Sequence, residues 1–400
     1  MELRDVPTRA LLLALLLSFW SSPVRAHDPS AWGGLFRSRD QGASWFLANP
    51  GWFVGGAIAL AISPVDPNHL LLGTDSGLFR SRNGGRDWGR EGTTLLVGPV
   101  FAVAFDANGQ RALVSTGPGI FHTDDGNSWR KTPAPEGAAP ARAIVRGSVA
   151  GRVYLAGRSG LLRSDDWGAT WSSYAGGLPE GPVTAFLVVG GPPEIVYRIV
   201  GGRIWAHTDG AGVWVNRTAG AAVINVDALV VDQALPTRIW AAGAGQLFRS
   251  EDQGVRWRSV GRPLPERNTT VRGIAVAGGT IVLTTDRGLY RSADSGERWA
   301  LLADNLPAHL EAGPLVRDPV DPDTLYAGFA LTPYAEIWRR AAEGGDSLRR
   351  LSLPSLAGSA AFLALVALSA VVALRWLRHY YDVPSSQVPQ RHGRGGRAAR

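Results

Sequence analysis

Seven polar residues recur along the chain in a pattern close to Ser-x-Asp-x-Gly-x-x-Trp. Carboxylates at fixed spacing can act as calcium ligands or as acid–base catalysts. The residues at the Asp position of this box are Asp40, Asn83, Asp124, Asp166, Asp209, Asp252 and Asp294. The tryptophans that end the boxes are Trp45, Trp88, Trp129, Trp171, Trp214, Trp257 and Trp299.

A structural role explains the boxes better than metal binding or catalysis. A calcium loop needs several oxygen ligands within one loop, whereas most boxes carry a single acid. A short carboxylate can instead cap backbone N–H groups of a hairpin, while Gly supplies a positive φ and Trp packs into the sheet. We therefore expect no catalytic residue among the boxes, no metal site and no cofactor.

The spacing of the boxes predicts the fold. Successive box tryptophans lie 41 to 43 residues apart. Each box follows a short strand such as Leu78-Phe79-Arg80, and two further apolar strands precede that one. Four short strands per repeat, separated by Gly, Pro and Asp turns, are typical of a propeller blade. The sequence therefore predicts an all-β fold, a seven-bladed β-propeller of four-stranded antiparallel blades over residues 27–340.

The two ends of the repeat region must join to close this ring. Strands near Leu315 and over Leu325–Gly328 are expected to pair with Leu35–Ala48. Ile337–Arg340 resembles an eighth copy of the strand that precedes each box, so we expect a spare strand at the seam. Either copy could take the seam position, and closure would remove an exposed sheet edge.

The face of the ring opposite the boxes is the candidate binding surface. It would be built from the loops between blades and from the turns between the second and third strands of each blade. Acidic, basic and aromatic residues in these segments could bind a protein loop or a sugar. The candidates are Trp52, Asp75, Glu91, Arg158, Glu180, Arg203, Glu266, Asp286, Arg287, Tyr334 and Glu336.

The boxes resemble the Asp-box, or BNR, repeat of sialidase-like and sortilin-like propellers. Over about residues 32–340 the chain is similar to the seven-bladed propellers of the photosystem II stability and assembly factor type. That resemblance implies an exported ring that binds client membrane proteins. Sialidase-like enzymes carry an Arg-Ile-Pro motif and a six-bladed ring, and this sequence contains no Arg-Ile-Pro.

Composition and charge narrow the function classes. The chain has no Cys, which excludes disulfides, thiolate zinc sites and cysteine nucleophiles. Of the net charge of +7, the first 26 residues carry +1 and residues 375–400 carry +5. The body is therefore almost neutral, which argues against a nucleic-acid partner.

Two apolar segments predict export and membrane anchoring. Ala10–Trp20 has the length of a signal-peptide core, so residues 1–26 are expected to be removed after Ala26. Residues 356–374 contain no charge and are long enough to span a bilayer as one helix. Residues 341–355 would form a linker and residues 375–400 a basic cytoplasmic tail. We expect a single-pass type I protein of the plasma (inner) membrane with its propeller on the periplasmic or extracellular side.

Two functional hypotheses follow from this organisation. The first is a non-enzymatic scaffold that binds a protein partner in or near the membrane. The alternative is a membrane-tethered, sialidase-like glycoside hydrolase acting on extracellular glycans, which would need two suitably spaced carboxylates or a Tyr nucleophile.

Overall fold

A computed structural model of the protein describes residues 32–174, 177, 183–218, 225–232, 234–343 and 368–376. The first two strands of the described chain are β1 (Gly34–Ser38) and β2 (Phe46–Leu47). They complete a blade with the last two strands, β27 (Glu311–Arg317) and β28 (Leu325–Ala330), in the order β2-β1-β28-β27. This blade, called blade 7, closes the ring with two strands from each end of the repeat region.

Blades 1 to 6 each consist of four consecutive antiparallel strands. Blades 1 and 2 contain β3 (Ala57–Ile62), β4 (Leu70–Thr74), β5 (Gly77–Ser81) and β6 (Gly89–Glu91), then β7 (Val100–Phe105), β8 (Ala112–Thr116), β9 (Ile120–Thr123) and β10 (Arg130–Lys131). Blades 3 and 4 contain β11 (Ala143–Arg146), β12 (Val153–Gly157), β13 (Gly160–Ser164) and β14 (Ser172–Ser173), then β15 (Val183–Val189), β16 (Ile195–Val200), β17 (Arg203–Thr208) and β18 (Val215–Asn216). Blades 5 and 6 contain β19 (Val226–Val231), β20 (Ile239–Gly243), β21 (Gln246–Ser250) and β22 (Arg258–Val260), then β23 (Val271–Ala277), β24 (Thr280–Thr285), β25 (Gly288–Ser292) and β26 (Ala300–Leu302).

The seven blades form a closed ring around a central opening. The first strand of each blade contacts the first strand of the next, and β27 of blade 7 contacts β3 of blade 1. Apolar clusters lie between neighbouring blades, such as Leu113 of blade 2 with Ile144 and Leu155 of blade 3. The predicted seven-bladed, four-stranded propeller is therefore confirmed.

The spare strand predicted at the seam is wrong. Residues Tyr334–Ala342 form a helix, α1, which begins after Pro333. The third-strand position of blade 7 is already taken by β1, which pairs with β28 over its whole length. Tyr334, Ile337, Trp338 and Ala341 are spaced three or four residues apart, so a helix places them on one side. That side packs against the ring.

The predicted signal peptide, residues 1–26, lies outside the described residues, and so do residues 356–367 of the predicted membrane span. Residues 368–376 are helical, with exposed side chains. Among the described residues, no helix is long and apolar enough to cross a membrane.

Candidate functional site

The boxes occupy the hairpins between the third and fourth strands of the blades. In blade 7, Oδ1 of Asp40 accepts a hydrogen bond of 2.9 Å from the backbone N–H of Ser44, and Ser38 Oγ accepts one of 2.8 Å from Gly42 N–H. Gly42 has a φ of +81°, which favours glycine. Asn83, Asp166, Asp252 and Asp294 accept equivalent bonds in their own hairpins.

The side chains at the Asp position of these boxes therefore accept hydrogen bonds from the backbone of their own turns. Hydrogen bonds from the guanidinium and backbone N–H of Arg256 lower the pKa of Asp252 to about 2. Such a carboxylate is ionised and fully engaged at neutral pH, which suits a turn cap and not a proton-transfer group.

Two boxes depart from the predicted geometry. In blade 2, Asp125 and not Asp124 accepts the backbone N–H bonds of Asn127 and Ser128, each at 2.8 Å. This hairpin is one residue shorter, so Asp124 points elsewhere and pairs with Arg130 at 2.6 Å. In blade 4, Asp209 accepts hydrogen bonds from Arg152 and Arg163 of blade 3 at 2.8 and 3.2 Å. Asp209 therefore links two blades and does not take the capping position.

The box tryptophans are wedges between blades. The indole N–H of Trp88 donates to the Ala48 carbonyl of the preceding blade at 2.7 Å. Trp257 and Trp299 donate in the same way to the carbonyls of Arg217 and Arg262, at 3.0 and 2.9 Å. Trp129 donates to the Glu91 carboxylate at 2.9 Å. Each of these tryptophans thus ties its own blade to the one before it.

The face opposite the boxes, called the box-free face, carries the predicted binding residues at many points around the ring. Arg158, Arg203 and Arg287 lie at turns between second and third strands and are exposed. Glu180 lies outside the described residues. Glu336 is on α1, where it pairs with Arg339 and Arg340 at 2.7 Å. The three arginines belong to blades 3, 4 and 6, so these described residues are distributed around the ring.

Most of the predicted acids on this face have structural partners. Glu91 pairs with the Arg80 guanidinium at 2.9 Å. Glu266 accepts a hydrogen bond from the Tyr290 hydroxyl, and Asp286 accepts one of 3.0 Å from the Thr270 backbone. Asp75 packs against Gly55, and burial raises the pKa of its carboxyl above the ordinary value.

Aromatic side chains on the box-free face form an exposed apolar patch at the seam. Trp32 and Phe53 meet edge to face with 5.5 Å between ring centroids, and Trp52 meets Phe79 at 5.2 Å. The backbone N–H of Leu331 bonds to the Gly55 carbonyl at 2.8 Å, which brings a fourth exposed apolar residue beside them. We call Trp32, Trp52, Phe53 and Leu331 the seam patch. Of these, Trp52 is among the binding residues predicted from the sequence.

Helix α1 covers part of the central opening on this face. The Tyr334 hydroxyl donates to the Ala57 carbonyl at 2.6 Å, and the Trp338 ring contacts Phe101 at a tilt of 44° with 4.6 Å between centroids. Glu311 accepts hydrogen bonds from the Tyr334 backbone N–H at 2.9 Å and from Arg272 at 2.8 Å. Tyr334 is therefore a buried anchor of α1 and not a surface residue, and burial raises its pKa far above the ordinary range.

Comparisons with known proteins show similarity to other propellers. No protein-family profile matches the chain. A Paenibacillus xyloglucanase is 25% identical over 293 residues, which is 67% of this chain and 23% of that protein. A Neosartorya fischeri protein named probable oligoxyloglucan-reducing end-specific xyloglucanase is 28% identical over 177 residues, 40% of this chain and 22% of its own length. The chain thus spans less than a quarter of the length of either curated relative.

Three solved structures share the propeller. YCF48 from Cyanidioschyzon merolae has a TM-score of 0.55 at 14% identity, covering 69% of this chain and 96% of that one. A structure titled YCF48 bound to D1 peptide has a TM-score of 0.52 at 19% identity, with coverages of 69% and 94%. The GH74 xyloglucanase from Xanthomonas campestris has a TM-score of 0.54 at 18% identity, with coverages of 67% and 51%. At these identities the similarity shows the fold alone.

Proposed function

We propose that this protein is a non-enzymatic, membrane-anchored propeller that binds a protein partner outside the cytoplasm. Its ring is exported by the signal peptide of residues 1–26, anchored by residues 356–374 and held near the membrane by residues 341–355. The partner is a membrane or exported protein, and the box-free face binds it.

The seam patch carries this proposal. Soluble protein surfaces rarely keep several large aromatic side chains exposed side by side unless the surface binds something. Aromatic residues are also the side chains that contribute most binding energy in protein interfaces. Phe53 is 67% exposed although its ring already contacts Trp32, so a partner side chain can still bury most of its area.

The similarity to YCF48 supports a protein ligand. One of the two YCF48 structures is described as bound to a D1 peptide, so a ring of this architecture can bind a polypeptide. The YCF48 chains are also matched over almost their whole length, unlike the xyloglucanases.

A glycoside hydrolase is the second candidate, and the observation in its favour is the sequence similarity to two xyloglucanases. Glycoside hydrolysis by retaining or inverting enzymes needs two carboxyl groups facing one cleft. Among the described residues of the box-free face, Glu91, Glu266, Asp286 and Glu311 are held by partners within the ring. Turnover of xyloglucan oligosaccharides by the purified chain, abolished by changing one acid of the box-free face, would establish this alternative and remove the scaffold proposal.

Site-specific photo-crosslinking tests the scaffold proposal. A photoreactive phenylalanine analogue is placed at Phe53 in the seam patch or at Phe46 on strand β2, which is 62% exposed and outside the patch. The two positions match in residue type and exposure, so they report location alone. We expect a discrete crosslinked protein from position 53 in intact membranes and none from position 46. Equal crosslinking from both positions contradicts binding by the seam patch.

Labelling of single cysteines tests the proposed topology. Because the chain contains no Cys, one Cys introduced at Arg158 on the ring or at Arg394 in the tail gives an unambiguous signal. A membrane-impermeant maleimide should label position 158 in intact cells or spheroplasts, and position 394 only after the membrane is permeabilised. The reverse pattern would place the ring in the cytoplasm.

A further inference from the structure

The central opening of the ring is divided into two halves on the box-free face. Helix α1 fills the half beside blades 7, 1 and 2, where it packs against Ile58, Phe101 and Ala330. The half beside blades 3 to 6 contains a cavity of about 240 Å³. The apolar walls of this cavity come from the first strands of three blades and consist of Ala143, Ala185, Phe186, Ala228 and Leu229.

Two arginines lie between helix α1 and the cavity. Arg142 and Arg272 both line the cavity. The guanidinium carbon of Arg142 lies 4.5 Å from the ring centroid of Trp338, and that of Arg272 lies 5.2 Å from the ring centroid of Tyr334. A guanidinium held over an aromatic ring by a cation–π contact can still donate its N–H groups to another partner.

Hydrogen-bond donors of these arginines remain unused within the described part of the chain. One Nη of Arg272 donates to Glu311, while its Nε is buried without a partner. The Arg142 guanidinium has the Trp338 ring as its neighbour and no carboxylate partner among the described residues. The Arg142 side chain lines the cavity but is exposed to solvent, and it stays protonated at neutral pH.

The two arginines of the cavity differ in the charges beside them. Arg272 is paired with Glu311, and it also lies close enough to Asp227 to interact with that carboxylate. Arg142 has no such counter-charge. Arg142 is exposed, so a ligand carboxylate can reach its guanidinium without displacing an ion pair. Glu311 and Asp227 beside Arg272 disfavour a second negative charge on that ligand.

We propose that this cavity binds a small monocarboxylate with an apolar body, held by Arg142 with help from Arg272 Nε. A planar carboxylate matches the geometry of a guanidinium and can accept two parallel hydrogen bonds from it. The apolar walls provide the surface for the remainder of the molecule. This inference goes beyond the proposed protein-binding function and does not depend on it.

The size of the cavity sets the class of acid. An apolar protein cavity of about 150 Å³ is large enough to bind benzene. The 240 Å³ available here therefore accommodates a body the size of a benzene ring together with a carboxylate. Benzoate is a suitable probe, and benzamide is its uncharged counterpart of almost the same shape.

Calorimetric titration of the full-length chain tests the proposal. We expect benzoate to bind with one-to-one stoichiometry and benzamide to bind at least tenfold more weakly. Arg142→Gln should weaken benzoate binding by about tenfold or more, since a hydrogen-bonded charge is lost from the site. Arg158→Gln removes an exposed arginine from the same face of blade 3 and should leave the affinity unchanged.

A second variant separates loss of the site from loss of the fold. Ala185→Leu keeps both arginines and fills part of the cavity, so it should also abolish benzoate binding while the urea unfolding transition persists. Benzoate binding that survives Arg142→Gln, equal binding of benzoate and benzamide, preferential binding of inorganic phosphate, or no binding of benzoate would each overturn the proposal.

Discussion

Replacing Glu194 with Gln should uncouple blades 3 and 4. The Glu194 side chain is 1% exposed, and its carboxylate joins blade 4 to four residues of blade 3, among them Val149 through its backbone N–H at 3.3 Å. It accepts hydrogen bonds of 2.7 Å from the hydroxyls of Ser148 and Tyr154, and of 3.0 Å from Arg152. Burial alone would raise the pKa of Glu194, but the bonds from these three residues outweigh it and lower the pKa from 4.5 to about 2.

The size of the effect follows from linkage. A folded-state pKa below the unfolded value stabilises the fold at pH values above 4.5, and this stability is lost as the pH falls towards 2. The difference between 4.5 and about 2 corresponds to about 3 kcal/mol at pH 7. Glu194→Gln should therefore lower the free energy of unfolding by roughly that amount at pH 7 and by less than half of it at pH 3.

Urea unfolding followed by tryptophan fluorescence at pH 7 and pH 3 measures this difference. Glu251→Gln is the matched control, because Glu251 forms its ion pairs with Arg238, Arg249 and Arg258 at 45% exposure. Exposed pairs of this kind contribute about 0 to 1 kcal/mol. If Glu194→Gln costs no more than Glu251→Gln, or if its cost is the same at both pH values, the reasoning is refuted.

Three further substitutions test other parts of the structure. Asp125→Ala should lower the melting temperature more than Asp124→Ala, because Asp125 caps the blade 2 hairpin. The opposite order would mean that Asp124 is the capping residue, as the sequence pattern predicts. Gly313→Ala places a Cβ 2.1 Å from the Tyr334 ring and should destabilise the fold by about 1–3 kcal/mol in urea unfolding, whereas unchanged stability would mean that α1 does not pack there. Burial raises the pKa of Asp227 to about 6, so wild-type stability should fall as the pH rises from about 4 to 6, and Asp227→Asn should remove that fall. A wild-type stability that is flat over this pH range, or an equal fall in the variant, would contradict the assignment.

The ring could be predicted from the sequence because blades 1 to 6 are each encoded by one continuous repeat of about 42 residues. Every blade repeats a Trp, a Gly turn and three short apolar strands, and each repeat needs only its neighbour to bury its sheet. Ring closure by strands from both ends follows from the same count, and the pairing of β1 with β28 confirms it. The spacing to Trp129 selects Asp124 in the blade 2 box, and this prediction is wrong because the hairpin is one residue shorter and Asp125 takes the capping position.

The features of the box-free face depend on contacts that a linear pattern does not contain. The sequence of Ile337–Arg340 resembles the strand that precedes each box. Because β1 already pairs with β28 at the seam, this segment forms part of helix α1 instead. Arg142 and Trp338 are almost 200 residues apart in the chain, and they meet because α1 crosses the central opening. Leu331 joins Trp52 and Phe53 through the backbone bond to Gly55, again a product of ring closure.

The affinity of the partner crosslinked at position 53 tests the central claim most directly. Binding is measured with the full chain in membranes or nanodiscs for the wild type, for Phe53→Ser and for Phe46→Ser. Loss of a central aromatic contact typically costs about 1–2 kcal/mol or more, so we predict at least a fivefold weaker affinity for Phe53→Ser. Phe46→Ser, at 62% exposure outside the seam patch, should bind as the wild type does. Equal affinities of all three proteins would contradict the assignment of the seam patch as the docking surface.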